Sequence, residues 1–182
     1  MALPYAMLAL LSDQPSSGYD LVKTFEESVG FFWKATHQQV YRELSKLEDQ
    51  GWVNAAVVPQ SGRPDKKVYR ITDLGQQALT DWVMQSCEMP TLKDELLIKV
   101  FVGALVPAAQ IQQEIERHRQ LHQQRLAVYQ AIAAKFFANP EQLPLARRFH
   151  YLTLRRGIRY EIDWIGWCDE AVECLKSADL AE

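Results

Sequence analysis

Between residues 36 and 71 the apolar residues switch from a helical to an extended period, and this switch restricts the fold more than any other feature of the chain. In THQQVYRELSKLEDQGW, residues 36–52, Val40, Leu44 and Leu47 recur at i, i+4 and i+7 and form one stripe. Thr36 is placed to cap this helix, and Gln39 to close a capping box. Beyond Gly51 the runs WVNAAVV and KVYRIT are β-prone, and the PQSGRPD between them is the chemistry of a hairpin tip. Upstream, Leu3, Met7, Leu8, Leu10 and Leu11 predict a short helix ended by SDQPSSG. A second helix is expected from Ser16 or Ser17, carrying Tyr19, Leu21, Val22 and Phe25, with Gly30 as its stop. Thr72 or Asp73 is placed to cap a fourth, through Ala78, Leu79, Trp82 and Val83.

Helix, helix, helix, strand, turn, strand is the order of a winged helix-turn-helix, whose third helix enters a major groove beside a β-hairpin wing. The polar face of the third helix fits that use. His37, Gln38, Tyr41, Arg42, Ser45 and Lys46 are donors and one aromatic ring rather than Glu–Lys pairs. Gln offers bidentate contacts to adenine, Arg to guanine, and Tyr or His suits phosphate. Positions at the helix start also place backbone amides near an anion. A solvated face is the plainer alternative, because most charged helix faces are only wet. Trp33 and Trp52 are expected in the core on either side of the helix.

Charge narrows the choice. The chain carries a formal −3, and residues 1–88 hold eight basic against eleven acidic side chains. Coating of nucleic acid by bulk attraction is therefore excluded, and any DNA surface is a local patch. Residues 61–70, SGRPDKKVYR, supply one, with four basic residues and one Asp. That hairpin placement favours DNA contact over the solvated reading.

After Pro90 the pattern is entirely helical. Leu92, Leu96, Leu97, Val100, Phe101, Ala104 and Leu105 share one broad face. Pro107 opens a long helix to about Phe137, with a seam of Ile111, Ile115, His118, His122, Arg125, Tyr129, Ile132 and Phe136 in steps of three and four. A last helix, about 145–175, carries two apolar stripes. Tyr151, Leu154, Ile158, Ile162, Ile165, Cys168, Val172 and Leu175 form one; Phe149, Tyr160, Trp164 and Trp167 mark the other. A helix apolar on two sides needs two partners, the antiparallel neighbour and a second chain. A homodimer is expected, through Tyr151, Leu154, Ile158, Ile162, Trp164, Ile165 and Trp167.

LALLSDQPSSGYDL, HQQVYRELSKLEDQGWV and GRPDKKVYRITDLGQQAL together resemble the PadR family of bacterial transcription regulators, in order and spacing. The helical layout after residue 90 is similar to its subgroup with a virulence-activator-like C-terminal domain. The resemblance implies a dimer on an inverted-repeat operator, usually as a repressor and sometimes as an activator. It implies DNA contacts from Tyr19, His37, Gln38, Tyr41 and Arg42, and from Gly62, Arg63, Lys66 and Lys67 of the wing. Thr36, Gln39 and Lys46 complete the candidate DNA-binding set. Asp65 stands where the family is commonly basic or neutral. Some family members sense phenolic acids or planar aromatic drugs, so a small aromatic or carboxylate effector is a candidate partner alongside double-stranded DNA.

The expected fold is mainly α: a winged helix-turn-helix over 1–88, then an all-helical dimerisation and effector domain over 89–182. The function read from this is a sequence-specific DNA-binding regulator; the alternative is a winged-helix adaptor for protein contact without DNA binding, which the acidic balance of 1–88 favours. No enzyme motif is present: no GxSxG, no phosphate loop after a strand, no His–carboxylate cluster at metal spacing. His118 and His122, four apart, read as a polar gap in a helix seam rather than a metal site, for no third ligand is evident. Arg147, Arg148, Arg155, Arg156 and Arg159 spread around their helix and read as ion-pairing residues rather than a carboxylate site. No cofactor is expected. Three cysteines without a CxxC read as free thiols. No apolar run approaches roughly 18 residues and no leader pattern opens the chain, so the cytoplasm and no membrane partner are expected.

Overall fold

The computed structural model describes residues 2–59, 65–91 and 93–179, the last three by backbone alone. The chain divides into two compact units, Met1–Met89 and Pro90–Glu182.

The first unit contains α1 (Leu3–Asp13), β1 (Ser16–Ser17), α2 (Gly18–Glu26), α3 (His37–Asp49), β2 (Val53–Val58), β3 (Lys66–Ile71) and α4 (Asp73–Val83). α1 is apolar on nearly every side because other elements surround it, and Met7, Leu8 and Leu11 are fully buried. Leu21 and Val22 of α2, Val40, Leu44 and Leu47 of α3, Val53 and Tyr69 of the sheet and Leu79 of α4 close the same core. Each such burial contributes about 1.5–3 kcal/mol against the exposed side chain. The period switch is realised at Gly51, whose φ of +69° is the left-handed turn after α3 that favours glycine. β3 is the central strand, antiparallel to β1 on one side and to β2 on the other, with Ser17 opposite Val68 and Ala56 opposite Val68.

Two expectations in this unit are corrected. α2 ends at Glu26, not at Gly30, and a single 3-10 turn covers Val29–Phe31. Ser28 ends the helix: its φ of −133° and ψ of −88° leave the helical region, and its hydroxyl donates to the Thr24 carbonyl at 2.5 Å. Trp33 is 39% exposed, outside the core; Trp52 does pack on it and lies beside Tyr5.

The second unit contains α5 (Glu95–Phe101), α6 (Ala108–Phe136) and α7 (Leu145–Asp179). Asp94 caps α5, its carboxylate accepting from the Leu96 amide at 2.9 Å. The broad face expected here is not buried: Leu96 is covered and Val100 half-covered, whereas Phe101 and Leu105 stand in the open. α5 spans only two turns before a 3-10 turn at Gly103–Leu105, so one side alone meets α6. Leu92 lies outside the described residues.

α6 and α7 run antiparallel. Ile115 packs with Cys168, and Tyr151 meets Phe137 with ring centroids 5.7 Å apart. Midway, buried His122 bonds through Nδ1 to the buried carboxylate of Glu161, and the His122 ring stacks on Trp164 at 5.1 Å. The seam of α7 therefore passes through Ile158, Glu161, Ile165 and Cys168; Ile162, placed in it from the sequence, is half-exposed. On α6, Phe137 rather than Phe136 is buried, and Arg125 points outward. Among the described residues no helix is long and apolar enough to cross a membrane, and the cysteines Cys87, Cys168 and Cys174 are free of disulfides.

Candidate nucleic-acid interface

The N-terminal turn of α3 is fixed by its own side chains. The Thr36 hydroxyl accepts from the Gln39 backbone amide at 3.2 Å, and Gln39 side-chain Oε1 accepts from the Thr36 backbone amide at 2.8 Å. Both side chains are thus engaged in the cap. They set the helix start rather than reach outward by the same atoms.

Past that turn the buried stripe dictates what faces solvent. With Val40, Leu44 and Leu47 at 2% exposure or less, Gln38, Tyr41, Arg42 and Ser45 point outward. Tyr41 is 45% exposed and its ring lies on the first turn of α2: a Cβ added at Gly18 would stand 2.5 Å from Tyr41 Cε1. Tyr19, the next residue of α2, is among the most exposed aromatics of the unit. Tyr41 so lies against the start of α2, where Tyr19 follows Gly18, and Arg42 is exposed next to it on α3. Among the described residues no ion pair involves Arg42.

The other basic candidates among the described residues are paired. His37 Nε2 lies 2.8 Å from Glu26, Lys46 3.2 Å from Glu43, Lys66 2.8 Å from Asp20 and Lys67 2.7 Å from Glu48. The Lys66 hydrogen bond, helped by Ser17, holds the Asp20 carboxyl below its usual range, and the Glu48 carboxylate pushes the Lys67 ammonium up. Sequence reasoning missed these acids. Their signal was the surplus of acidic residues in 1–88, which carries no address. Gly62 and Arg63 lie outside the described residues; Asp65, just before β3, is exposed.

In the second unit the residues expected between chains divide. Ile158 is buried within its own chain, and Trp164 and Trp167 pack on the Ile115–Cys168 cluster. Tyr151, Leu154 and Ile165 are half-buried. Leu145, Phe149 and Leu152, spaced four and three apart on α7, are exposed at 60% or more. Arg148 caps the preceding loop, donating to the carbonyls of Leu143 and Glu141 at 2.8 Å each. Arg147 lies over Phe137 and Arg156 over Tyr160.

Known proteins match over the whole of this arrangement. Residues 7–81 fit the transcriptional regulator PadR-like family, and residues 92–176 fit the virulence activator alpha C-term family. A probable transcriptional regulator of Mycobacterium tuberculosis is 40% identical over 187 residues, 97% of this chain and 98% of that protein. The negative transcriptional regulator PadR of Bacillus subtilis is 32% identical over 176 residues, 95% of this chain and 97% of that protein. Its structure in complex with operator DNA matches with a TM-score of 0.83 at 30% identity, over 96% of this chain and 99% of that one. Its complex with p-coumaric acid matches with a TM-score of 0.80 at 29% identity, over 97% and 99%. The virulence activator AphA of Vibrio cholerae matches with a TM-score of 0.78 at 36% identity, over 97% and 99%. Identity of this extent along the full length shows that the chain belongs to the PadR family of transcriptional regulators, and it is a regulator rather than an enzyme.

Proposed function

We propose that the chain acts as a homodimer that binds an inverted-repeat operator through α3 and the hairpin, and represses transcription there. The observation that carries this reading is the side of α3 opposite its buried stripe, where Gln38, Tyr41 and Arg42 stand open, together with the two lysines at the loop end of the hairpin. Two-fold symmetry sets two such helices in successive major grooves, about 10 bp apart. The exposed Leu145, Phe149 and Leu152 stripe of α7 supports the second chain, since a single copy leaves it uncovered. The negative regulator among its relatives supports repression.

A gel shift against the promoter of the protein's own gene at two salt concentrations tests the reading. A discrete complex that weakens steeply with salt is expected; no complex with any duplex turns the choice to the adaptor. Arg42→Ala should relax preference at one base position, costing about 1–3 kcal/mol of discrimination there. Lys66→Ala should weaken binding alike across operator variants, with no change of preference at any one base position. Uniform loss across operator variants for Arg42→Ala removes it from base reading.

A small aromatic carboxylate as effector is favoured by the relative solved with p-coumaric acid and by the ring cluster of His122, Tyr160 and Trp164 between α6 and α7. Thermal shift against a panel of aromatic acids, followed by release of DNA in the gel, tests it. No stabilisation across the panel leaves the regulator without such an effector.

A further inference from the structure

We propose that Asp20 and Glu48 are specificity-determining residues of the DNA-reading face, holding Lys66 and Lys67 in ion pairs that a phosphate must displace. The inference rests on the DNA reading above and adds the determinant that separates operator from random duplex.

The placement of the two pairs is the reason. Lys66 and Lys67 are neighbours at the start of β3, so their side chains leave opposite faces of the hairpin at its loop end. One reaches back to Asp20 in the first turn of α2, the other across to Glu48 in the last turn of α3. Lys66 and Lys67 are thereby clipped to both helices of the helix-turn-helix. His37 and Lys46 are held in the same way by Glu26 and Glu43. Arg42, the residue placed for base reading, has no such acid among the described residues.

The division has a consequence for energetics. Contacts to phosphate are blind to sequence, and contacts to base edges are not. A cation already paired contributes less to blind attraction, because phosphate has to replace a carboxylate and leave it stranded in the negative field of the DNA. The stranded carboxylate gathers a cation as the DNA sheds one, so net counterion release per lysine falls below the value for an unpaired lysine. Random duplex gains little from the exchange. Only a site that also offers base contacts to Gln38 and Arg42 repays it. The surplus of acid over base in residues 1–88 then has a use on the reading face itself.

The test compares the full-length protein with Glu48→Gln and Asp20→Asn, measuring affinity for the promoter duplex and for a random duplex across salt concentrations. Each substitution should tighten binding to random duplex roughly three- to eightfold at 0.1 M salt, the upper bound being the release of about one further counterion, and steepen the salt dependence toward one unit. The ratio of promoter to random affinity should fall. In Glu48→Gln/Lys67→Gln the gain should vanish, because no lysine remains to be released. Melting curves and circular dichroism of every variant fix that the fold is retained. A parent that binds its promoter, with variants no tighter than it on random duplex, overturns this assignment alone. So does a gain that survives loss of Lys67. A parent that binds no duplex at any salt overturns the DNA reading and this assignment together.

Discussion

His122→Leu destabilises the second unit by about 3–5 kcal/mol, the usual cost of leaving a buried carboxylate without its partner. The cause is what remains. Glu161 is 2% exposed, and its carboxylate bonds to His122 Nδ1 across the α6–α7 seam. Leucine is similar in volume and adds apolar contact, but it leaves that carboxylate without its hydrogen bond. Trp164, which stacks on the imidazole, loses its flat partner as well. Urea unfolding followed by far-UV circular dichroism measures the loss. A cycle completes it: His122→Leu/Glu161→Leu should recover most of the stability, since a packed apolar pair often equals or exceeds a buried ionic one. A double variant as weak as the single would place the effect in packing rather than in the stranded carboxylate.

Gly75→Ala is the second large effect. Alanine at a helical position ordinarily stabilises by about 1 kcal/mol over glycine, so the helix alone predicts a gain. The surroundings reverse the sign. A Cβ at residue 75 would stand 2.1 Å from the carbonyl oxygen of Trp52 and 2.9 Å from its carbon. That is backbone, and it cannot rotate away. The same carbonyl accepts from the Thr72 amide at 3.0 Å, which ties the start of α4 to the junction of α3 and β2. α4 has to lift, and Leu79, buried at 9% exposure, lifts with it. Overpacking of this kind costs about 1–3 kcal/mol or more; a net loss of about 2 kcal/mol is expected in a thermal or urea melt, with weaker promoter binding. A rise in melting temperature would show that the helix propensity wins and that the approach at Trp52 relaxes freely.

Much of this was written in the pattern of residues. The switch of period at Gly51, the capping box at Thr36 and Gln39 and the strands around PQSGRPD fixed the order of the first unit, because each is a local signal. Local signals failed where long-range partners decide. Gly30 looked like a helix stop, but the Ser28 hydroxyl had already ended α2. Trp33 looked like core by size, yet it stands 39% exposed outside the cluster. The α7 seam was drawn through Ile162 because it is apolar; the buried position is Glu161, one residue earlier, where a carboxylate faces a histidine. A His in the seam of α6 opposite a long helix was the available clue that an acid should be sought on the other side. On α3, the exposure of Arg42, Tyr41 and Gln38 was legible from the stripe they oppose. The acids that hold Lys66 and Lys67 were not, since a pair 46 residues apart for Asp20 and Lys66 leaves no periodic trace.

The two-residue strand β1 has a mechanical side. Ser17 pairs with Val68 in the central strand, and its hydroxyl also accepts from the Asp20 amide to begin α2. One residue thus ties the central strand of the hairpin to the start of α2. A reading head tied in this way does not mould itself to whatever groove it meets. On the operator reading proposed above, the duplex would flex instead, so steps that bend easily would become part of what is recognised, even at positions no side chain touches.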